Sequence, residues 1–445
     1  MKKILSVALI IAMALSLCAC ETGESNKAPK NEISEVSTKK EEKAGNAEAG
    51  SIAEAGIIPD LSSYYVTEDE IKWEYNSSSR TLVFSGEGPM RDYLDEEPEW
   101  NSYCSEAQKV IIGDEITSVG AGAFWWFDGL TEVSLGEAVE YIGTNAFSNC
   151  YNLWTVNFPD ALKVVEAGAF SNALLHSENG FTLPEGLQYI GDSAFYSAFK
   201  ESFVSIPASV TYIGHDAFAN CFVDEFIIDE GNEYYSSADG VFFDEAKEVL
   251  MYYPAGKQDG QYEIPDGVKV INEDAFSVNS YIDKLIIPAS VADINECAIY
   301  WNYSLLNIEV AEDNPNYKSV SGVLLTKDGK NLVAYPLGSP ADDYSIPEGV
   351  ERIWPYSMSG ASSFVHVHIP EGVKNISSYA FCNCSNLTEI GLPASLESVD
   401  DSAFLWCDAL TRVNYASTGE DWDKIVFYEN NDLFTNGQVT VYPTE

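Results

Sequence analysis

The stretch IPASVTYIGHDAFANC, residues 206–221, contains the spacing that decides the fold. Its Ala-Phe dipeptide ends at Phe218, with Val210 eight residues and Ile213 five residues before that position. Ten segments align on the same anchor position, most of them 23 residues after the previous one: Phe124, Phe147, Phe170, Phe195, Phe218, Phe276, Ile299, Met358, Phe381 and Phe404. A fixed period of this length is the signature of a repeat architecture.

Three other columns of the alignment are equally uniform. The position before the anchor is Ala in nine of the ten segments, and Ser357 is the exception. Eight residues before the anchors, all ten residues are aliphatic: Ile116, Val139, Leu162, Leu187, Val210, Val268, Val291, Val350, Val373 and Leu396. Five residues before them the column is again aliphatic: Val119, Ile142, Val165, Ile190, Ile213, Ile271, Ile294, Ile353, Ile376 and Val399. These columns predict a core shared by successive units.

Each unit also contains a short strand signal. Nine and eleven residues after most anchors come two apolar residues with a polar residue between them, as in Val204 and Ile206. This alternation is typical of a strand with one buried face, and a following Pro such as Pro207 ends the strand. We therefore predict a mainly β solenoid, in which units of about 23 residues, each made of a strand, a turn and a tight Ala-Phe bend, stack into one core.

The pattern I-P-x-x-V-x-x-I-G-x-x-A-F-x-x-C-x-x-L resembles the BspA-type leucine-rich repeat over residues 105–415. The resemblance implies a leucine-rich repeat array of a bacterial surface protein that adheres to host or neighbouring-cell proteins. It also identifies residues 61–104 and 416–445 as terminal caps, which an open solenoid needs to cover its ends. The two long gaps, near residues 229–263 and 311–345, resemble that family's insertions, and each is predicted as a β-hairpin that opens at Gly240 or Gly322.

The first twenty residues predict export. Lys2 and Lys3 precede an apolar run that is too short to span a membrane, so residues 1–19 are predicted to be a signal peptide. Leu17-Cys18-Ala19-Cys20 resembles the bacterial lipobox, which implies cleavage before Cys20 and a lipid on its thiol; the alternative is an ordinary signal peptide. The polar residues that follow, up to residue 60, are predicted to be a disordered tether. We expect a lipid-anchored protein on the extracellular face of the cell envelope.

The charge of the chain restricts its partners. It has 70 Asp and Glu residues against 24 Lys and Arg, a formal net charge of −46. Nucleic acids and anionic lipid headgroups require basic surfaces, so we expect neither as a partner, and membrane contact only through the lipid anchor. A monomer that uses no cofactor is expected.

Catalytic motifs are absent from the sequence, which contains no G-x-S-x-G, H-E-x-x-H, Walker loop or C-x-x-C pair. His366, His368 and Glu389 are predicted to share one outward patch, which is either a zinc site or, as we prefer, a polar part of a binding face. Cys384 and Cys407 lie on adjacent units at a spacing that permits a disulfide, but their column favours buried thiols. The chain is not expected to be an enzyme.

The leading functional prediction is ligand binding by the outward residues of the strands. These are expected to form one extended strip: Glu132, Ser134, Thr155, Asn157, Thr182, Phe203, Ser205, Lys284, Ile286, Asn307, Glu309, His366, His368, Glu389, Arg412 and Asn414. Trp126, Trp301 and Trp406, each two residues after an anchor, are either a second, exposed binding surface or packed against the next turn. Two alternatives remain: a surface hydrolase, such as a carbohydrate-active enzyme, with its site between the insertions, and a passive structural protein.

Overall fold

The computed structural model of the chain describes residues 70–443. The predicted signal peptide and the lipidated tether with Cys20 lie outside the described residues. Helix in residues 70–443 is limited to the α-helix α1 (Gly419–Trp422) and the 3₁₀ helices Glu99–Tyr103 and Asp432–Phe434. In this part of the chain, no helix has the length and apolar character needed to cross a bilayer.

The strands are short and parallel pairing dominates. In chain order they are β1 (Lys72–Asn76), β2 (Thr81–Ser85), β3 (Gly88–Pro89), β4 (Lys109–Ile112), β5 (Ile116–Val119), β6 (Glu132–Ser134), β7 (Tyr141–Ile142), β8 (Thr155–Asn157), β9 (Val164–Val165), β10 (Phe181–Thr182), β11 (Tyr189–Ile190), β12 (Lys200–Ile206), β13 (Tyr212–Ile213), β14 (Phe222–Ile228), β15 (Tyr235–Ala238), β16 (Val241–Asp244), β17 (Val249–Tyr252), β18 (Gln261–Glu263), β19 (Val270–Ile271), β20 (Lys284–Ile287), β21 (Asp293–Ile294), β22 (Asn307–Val310), β23 (Tyr317–Val320), β24 (Val323–Thr326), β25 (Asn331–Ala334), β26 (Asp343–Ser345), β27 (Arg352–Ile353), β28 (His366–His368), β29 (Asn375–Ile376), β30 (Glu389–Leu392), β31 (Ser398–Val399), β32 (Arg412–Tyr415), β33 (Val426–Phe427) and β34 (Thr440–Pro443).

The chain forms two compact units, the first made of residues up to 175 with Tyr189–Ala198, and the second made of His176–Gln188 and the residues from 199 onward. In both units each rung supplies one strand to a front sheet and, after a bend, a shorter strand to a back sheet. The first unit has the front sheet β1-β2-β4-β6-β8 and the back sheet β11-β9-β7-β5-β3. The second unit has the front sheets β10-β12-β14, β18-β20-β22 and β26-β28-β30-β32-β34, and the back sheets β15-β16-β17-β19-β21 and β23-β24-β25-β27-β29-β31-β33. The predicted β solenoid of repeating units is confirmed.

The predicted core columns are buried. All ten anchors and all ten aliphatic residues in each of the two columns before them are excluded from solvent. In the first unit the rings of Phe124, Phe147, Phe170 and Phe195 stack at centroid distances of 5.2, 5.3 and 5.6 Å. Each rung thus covers the apolar face of its neighbour, which is how short repeats gain a core that none has alone.

The Ala-Phe bend needs two left-handed residues, one on either side of the anchor. Two residues before the anchors φ lies between 53° and 69°, and two residues after them between 52° and 80°. The anchor N–H then points to the next rung, as in the 2.8 Å hydrogen bond from Phe124 N to Ala146 O. Asn tolerates positive φ better than most residues, which explains why Asn149, Asn172 and Asn383 recur after the anchor.

The cysteine column is explained by hydrogen bonds between rungs. The thiols of Cys150 and Cys407 donate to the carbonyl oxygens of Phe124 and Phe381, anchors of the preceding rungs, at 3.2 and 3.0 Å. Burial raises the pKa of Cys150 to about 12, so this thiol stays protonated. All seven cysteines of residues 70–443 are free. The prediction of core thiols is confirmed, and Cys384 and Cys407 are not bridged.

Each insertion is a three-stranded meander rather than the single hairpin that the sequence predicted. In the first, the turn at Asp239 and Gly240 has φ of 51° and 75° and joins β15 to β16, which then pairs with β17. The second repeats this with β23, β24 and β25. Two consecutive positive φ values are those of the tight hairpin turn that suits twisted strands. Because β17 and β25 pair in parallel with β19 and β27, both meanders extend back sheets.

Aromatic clusters cover the two ends of the repeat array. Trp100 of the first unit packs edge-on against Phe84 at 4.8 Å and donates its indole N–H to Ala123 O at 2.8 Å, beside the first anchor. In the second unit Trp422 contacts Tyr415 at 5.3 Å, and β34 pairs with β32. Trp100 is buried in this packing, whereas the outermost strands β1 and β34 are largely exposed.

Candidate binding surface

The front sheet β26-β28-β30-β32-β34 places two rows of outward residues side by side. The register aligns Asp343, His366, Glu389, Arg412 and Thr440 in one row. Ser345, His368, Gly391, Asn414 and Tyr442 form the other row. Side chains alternate across a strand, so Val367, Ile390 and Val413 between the rows point into the core and are buried. The sequence correctly predicted that His366, His368 and Glu389 share one outward patch.

A pocket lies in this patch, beside Gly391 of the second row. Gly391 lies between His368 and Asn414, and the pocket above it has a volume of about 410 Å³. It is lined by Asp343, His366, Val367, His368, Glu389, Gly391, Leu392, Asn414, Tyr415 and Ala416. The ring of His368 leans over Gly391, close enough that a β-carbon there would meet its Nδ1. We call these residues the β28–β32 pocket.

Glu389 is the centre of a polar network in the β28–β32 pocket. Its carboxylate accepts a hydrogen bond from the Asn414 amide and lies 3.5 Å from Arg412 Nε. Arg412 also donates to Asn414 Oδ1 at 3.1 Å, and its guanidinium lies over the Tyr442 ring, 4.4 Å from the centroid. The network fixes these side chains before any ligand arrives, which lowers the entropy cost of binding.

The arrangement does not favour the zinc interpretation of His366, His368 and Glu389. Both carboxylate oxygens of Glu389 face donors on Asn414 and Arg412. Within the described residues, no group of three or more His, Cys, Asp or Glu side chains is arranged to hold a metal ion. The two imidazoles instead line the pocket, and imidazole nitrogens are hydrogen-bonding groups.

The expected single strip of outward residues is wrong, because the second unit divides its front strands among three sheets. The divisions fall at the insertions, where the meander turns bond to the last front strand: Phe226 N donates to Gly240 O, and Ile308 N donates to Gly322 O. Thr182, Phe203 and Ser205 therefore belong to one sheet, Lys284, Ile286, Asn307 and Glu309 to a second, and the β28–β32 pocket to a third. Glu132, Ser134, Thr155 and Asn157 belong to the front sheet of the first unit.

The candidates on the other sheets of the second unit are largely occupied by neighbours. Lys284 Nζ pairs with Glu309 at 2.8 Å, and the half-buried Ile286 lies between Glu263 and Glu309. The Phe203 ring packs against Gly180. The β28–β32 pocket is thus the more open of these surfaces.

The three tryptophans after anchors have different environments. Trp126 is 47% exposed, whereas Trp301 is only 4% exposed and donates to Ser359 Oγ at 3.2 Å. Trp406 is half-buried. The packed interpretation is therefore correct for Trp301 and the exposed one for Trp126. Sequence reasoning missed Trp125 and Trp154, 51% and 58% exposed, because neither occupies a position that recurs as Trp in other repeats.

The pocket beside the second insertion is small. The pocket there, lined by Cys297, Tyr300, Val333 and Tyr356 among others, has a volume of about 20 Å³. This is about the room that one water molecule needs. It is too small for a substrate of a surface hydrolase.

Comparison with known proteins agrees with the repeat geometry. The model of the BspA type leucine rich repeat region matches residues 100–228, 259–320 and 338–436 in six copies. The chain belongs to this BspA-type leucine-rich repeat family. The unmatched segments 229–258 and 321–337 fall largely within the two insertions. None of the curated proteins matches the sequence.

Solved structures with the same kind of fold come from bacteria. A leucine-rich repeat protein from Eubacterium ventriosum is 21% identical, with 86% of this chain and 96% of that chain covered and a TM-score of 0.56. A leucine rich cell surface protein from Faecalibacterium prausnitzii is 22% identical over 81% of this chain and 97% of that chain, with a TM-score of 0.47. At this level of identity the first likeness supports the BspA-type fold alone.

Proposed function

We propose that this BspA-type protein is a lipid-anchored binding protein of the bacterial cell surface that captures a protein or glycan ligand through the β28–β32 pocket. The leader with its Cys20 lipobox supports the location, and the predicted tether supports presentation of the repeat units away from the membrane. The partner belongs to the host or to a neighbouring cell, and the protein acts as a monomer.

The observation that carries the proposal is the pocket over Gly391. It combines open volume with hydrogen-bonding groups of several kinds: two imidazoles, the two carboxylates of Asp343 and Glu389, a carboxamide and the nearby guanidinium. A concave site with a few fixed polar groups is the usual form of a binding site. The exposed aromatic ring of Tyr442, stacked on Arg412, adds an apolar surface at its border.

Recognition fits this site better than catalysis. A glycosidase needs one carboxyl group that keeps its proton near neutral pH and a second that stays ionised. Glu389 instead has both carboxylate oxygens engaged, one by the Asn414 amide and the other by Arg412 Nε at 3.5 Å. The fixed network therefore holds a hydrogen-bonding surface rather than an acid–base pair.

The charge of the protein selects among ligands. With a net charge of −46, the surface repels polyanions, so neutral glycans and neutral or basic protein segments are the favoured partners. The same charge argues against binding to nucleic acids or to anionic membranes apart from the lipid anchor.

An array of host glycans and extracellular-matrix proteins, probed with the full chain in mild detergent, tests the proposal. We expect saturable binding that is weakened about tenfold or more by the double variant His366→Ser/His368→Ser. The matched control Glu132→Ser/Ser134→Ala changes two outward residues of β6 in the first unit and should retain binding. Absence of binding on the whole array, or equal binding by both variants, would overturn the proposal.

A further inference from the structure

The exposed Trp125 and Trp126 and the half-buried Tyr151 form an aromatic group in the first unit, which we call the aromatic ridge. Both indoles are about half exposed, at 51% and 47%, although Trp is on average a well-buried residue. Trp126 and Tyr151 meet edge to face at a centroid distance of 5.7 Å. Trp154, 58% exposed, follows three residues after Tyr151. The ridge belongs to the turns after two successive anchors, Phe124 and Phe147.

A buried amide fixes the orientation of the ridge. The side chain of Asn149 is 8% exposed, and its amide atoms lie within 3.3 Å of the indole nitrogens of Trp125 and Trp126. With the amide oxygen toward both indole N–H groups, the Asn149 nitrogen donates to the Tyr151 hydroxyl at 3.1 Å. With their polar atoms held by one group, the rings present mainly their faces and edges to solvent. A ring that is already fixed loses little conformational entropy when a ligand stacks on it.

A row of exposed polar side chains follows the same turns. Ser105 Oγ donates to Asp128 Oδ1 at 2.8 Å, and Asn152 Nδ2 donates to Asp128 O at 2.6 Å. Asp128 follows Trp126 by two residues, and Asn152 follows Tyr151 directly. Fixed carboxylate, amide and hydroxyl groups therefore accompany the aromatic faces.

We propose that the aromatic ridge is a second binding site, which takes a neutral polysaccharide. A sugar ring has an apolar face of C–H groups that stacks on an aromatic ring, and hydroxyl groups that pair with carboxylates and amides. Successive rungs lie about 4.8 Å apart, close to the length of one sugar unit, so a chain running across the rungs meets Trp126 on one rung and Tyr151 on the next. The net charge of −46 excludes anionic polysaccharides.

A protein partner fits the ridge less well. Aromatic anchors of protein interfaces are usually surrounded by contacts that exclude water. The aromatic ridge is instead accompanied by the exposed polar residues Ser105, Asp128 and Asn152, which leave its border accessible to water. This second site shares no residue with the β28–β32 pocket, so its test is separate from the test of the proposed function.

The repeat itself supplies a test variant that should fold. Two rungs of the first unit carry Ser-Asn at the positions of Trp125 and Trp126, namely Ser148-Asn149 and Ser171-Asn172. The variant Trp125→Ser/Trp126→Asn therefore gives this rung the turn of its neighbours, with Asn in the left-handed position. Leu405→Ser/Trp406→Asn makes the matched change at the same two positions of a rung in the second unit.

Affinity electrophoresis of the full chain through gels containing soluble mannan, mixed-linkage β-glucan, xylan or galactomannan measures the binding, with heparin as the anionic comparison. We expect at least one neutral polysaccharide to retard the wild type and the Leu405→Ser/Trp406→Asn control equally, and heparin not to do so. Trp125→Ser/Trp126→Asn should weaken that retardation roughly tenfold or more, with an unchanged circular dichroism spectrum. Equal retardation of both variants, retardation by heparin alone, or none by any neutral polysaccharide would overturn the proposal.

Discussion

Asn314 makes in the second insertion the same four hydrogen bonds that Asn232 makes in the first. Its amide donates to Pro288 O at 2.8 Å and to Val291 O at 3.0 Å. Its Oδ1 accepts from the backbone N–H groups of Asn316 and Tyr317 at 2.9 and 2.8 Å. The counterpart bonds of Asn232 involve Pro207, Val210, Tyr234 and Tyr235. One buried side chain thus ties each meander to the preceding rung.

Replacing Asn314 should destabilise the second unit strongly. Asn314→Ala leaves two backbone donors and two acceptors without their partner, and a buried polar group left unsatisfied costs about 1–3 kcal/mol. We expect a lower midpoint of denaturant unfolding with an unchanged slope. Asn386→Ala is the control, because Asn386 is exposed and its amide donates one bond, to Ser362 O. Equal shifts of the unfolding midpoint for the two variants would contradict the claim that Asn314 ties the second meander to the preceding rung.

Val278 occupies a left-handed position that suits Asn better. Its φ is 52°, and positive φ is unfavourable for a β-branched residue. We expect Val278→Asn to raise the free energy of unfolding by about 1 kcal/mol, the order of cost of a left-handed residue. Val270→Asn, the same change in strand β19, should lower it. A destabilised Val278→Asn would show that packing of the side chain outweighs backbone strain.

Stability should decrease with rising pH near the buried carboxyl of Asp274. Burial, followed by the charge of Asp216, raises its pKa well above 3.8, and Glu273 adds to the effect. The folded state therefore keeps a proton that the unfolded state releases, so stabilisation present below pH 3.8 is lost as pH rises toward the folded pKa. We expect Asp274→Asn, which cannot ionise, to unfold at a higher temperature than the wild type at pH 7.

The control for this prediction is the wild type at acid pH. The advantage of Asp274→Asn should shrink as pH falls from 7 toward 3.8, because the unfolded state then also begins to take up a proton at Asp274. A constant difference in melting temperature between the two proteins across this range would contradict the assignment.

The repeat columns allowed the fold to be predicted because packing acts on every rung alike. The anchor, aliphatic and Ala columns of the alignment each correspond to one position of the repeat unit. Because the unit occurs ten times, the pattern is recognisable in the sequence. The His366, His368 and Glu389 patch followed from strand alternation and register. The division of the front strands into separate sheets was not predictable, because it depends on how the turns at Gly240 and Gly322 bond to β14 and β22. The pocket is lined by residues of different repeat units, such as His368, Gly391 and Asn414, so no single unit reveals it.

The tryptophans show that a position in the repeat does not predict the burial of its side chain. Trp301 and Trp126 share a column but differ in burial, because Trp301 Nε1 reaches Ser359, 58 residues away in sequence. A column specifies backbone conformation, since both residues have φ near 60°. It does not specify what lies over the side chain.

The lipid anchor is tested by changing Cys20. In a bacterial host, Cys20→Ala should move the full chain from the membrane fraction to the soluble periplasmic or culture fraction, because the lipidated thiol is lost. Cys18→Ala, two residues earlier in the leader, should leave the protein in the membrane fraction. If Cys20→Ala fractionates with the membrane as the wild type does, the protein is not a lipoprotein.

The most direct test of the β28–β32 pocket adds a side chain at Gly391, where a β-carbon would lie 2.7 Å from His368 Nδ1 and so displace the His368 ring. Gly391→Val adds a strand-favouring side chain between His368 and Asn414, and Ser134→Val adds the same side chain to a front strand of the first unit. The measurement is the dissociation constant of each variant for the array ligand that the wild type binds best, with the melting temperature as a check of folding. We predict that Gly391→Val binds about tenfold or more weakly at an unchanged melting temperature, while Ser134→Val binds like the wild type. Full affinity of a folded Gly391→Val protein would contradict the pocket as the ligand site.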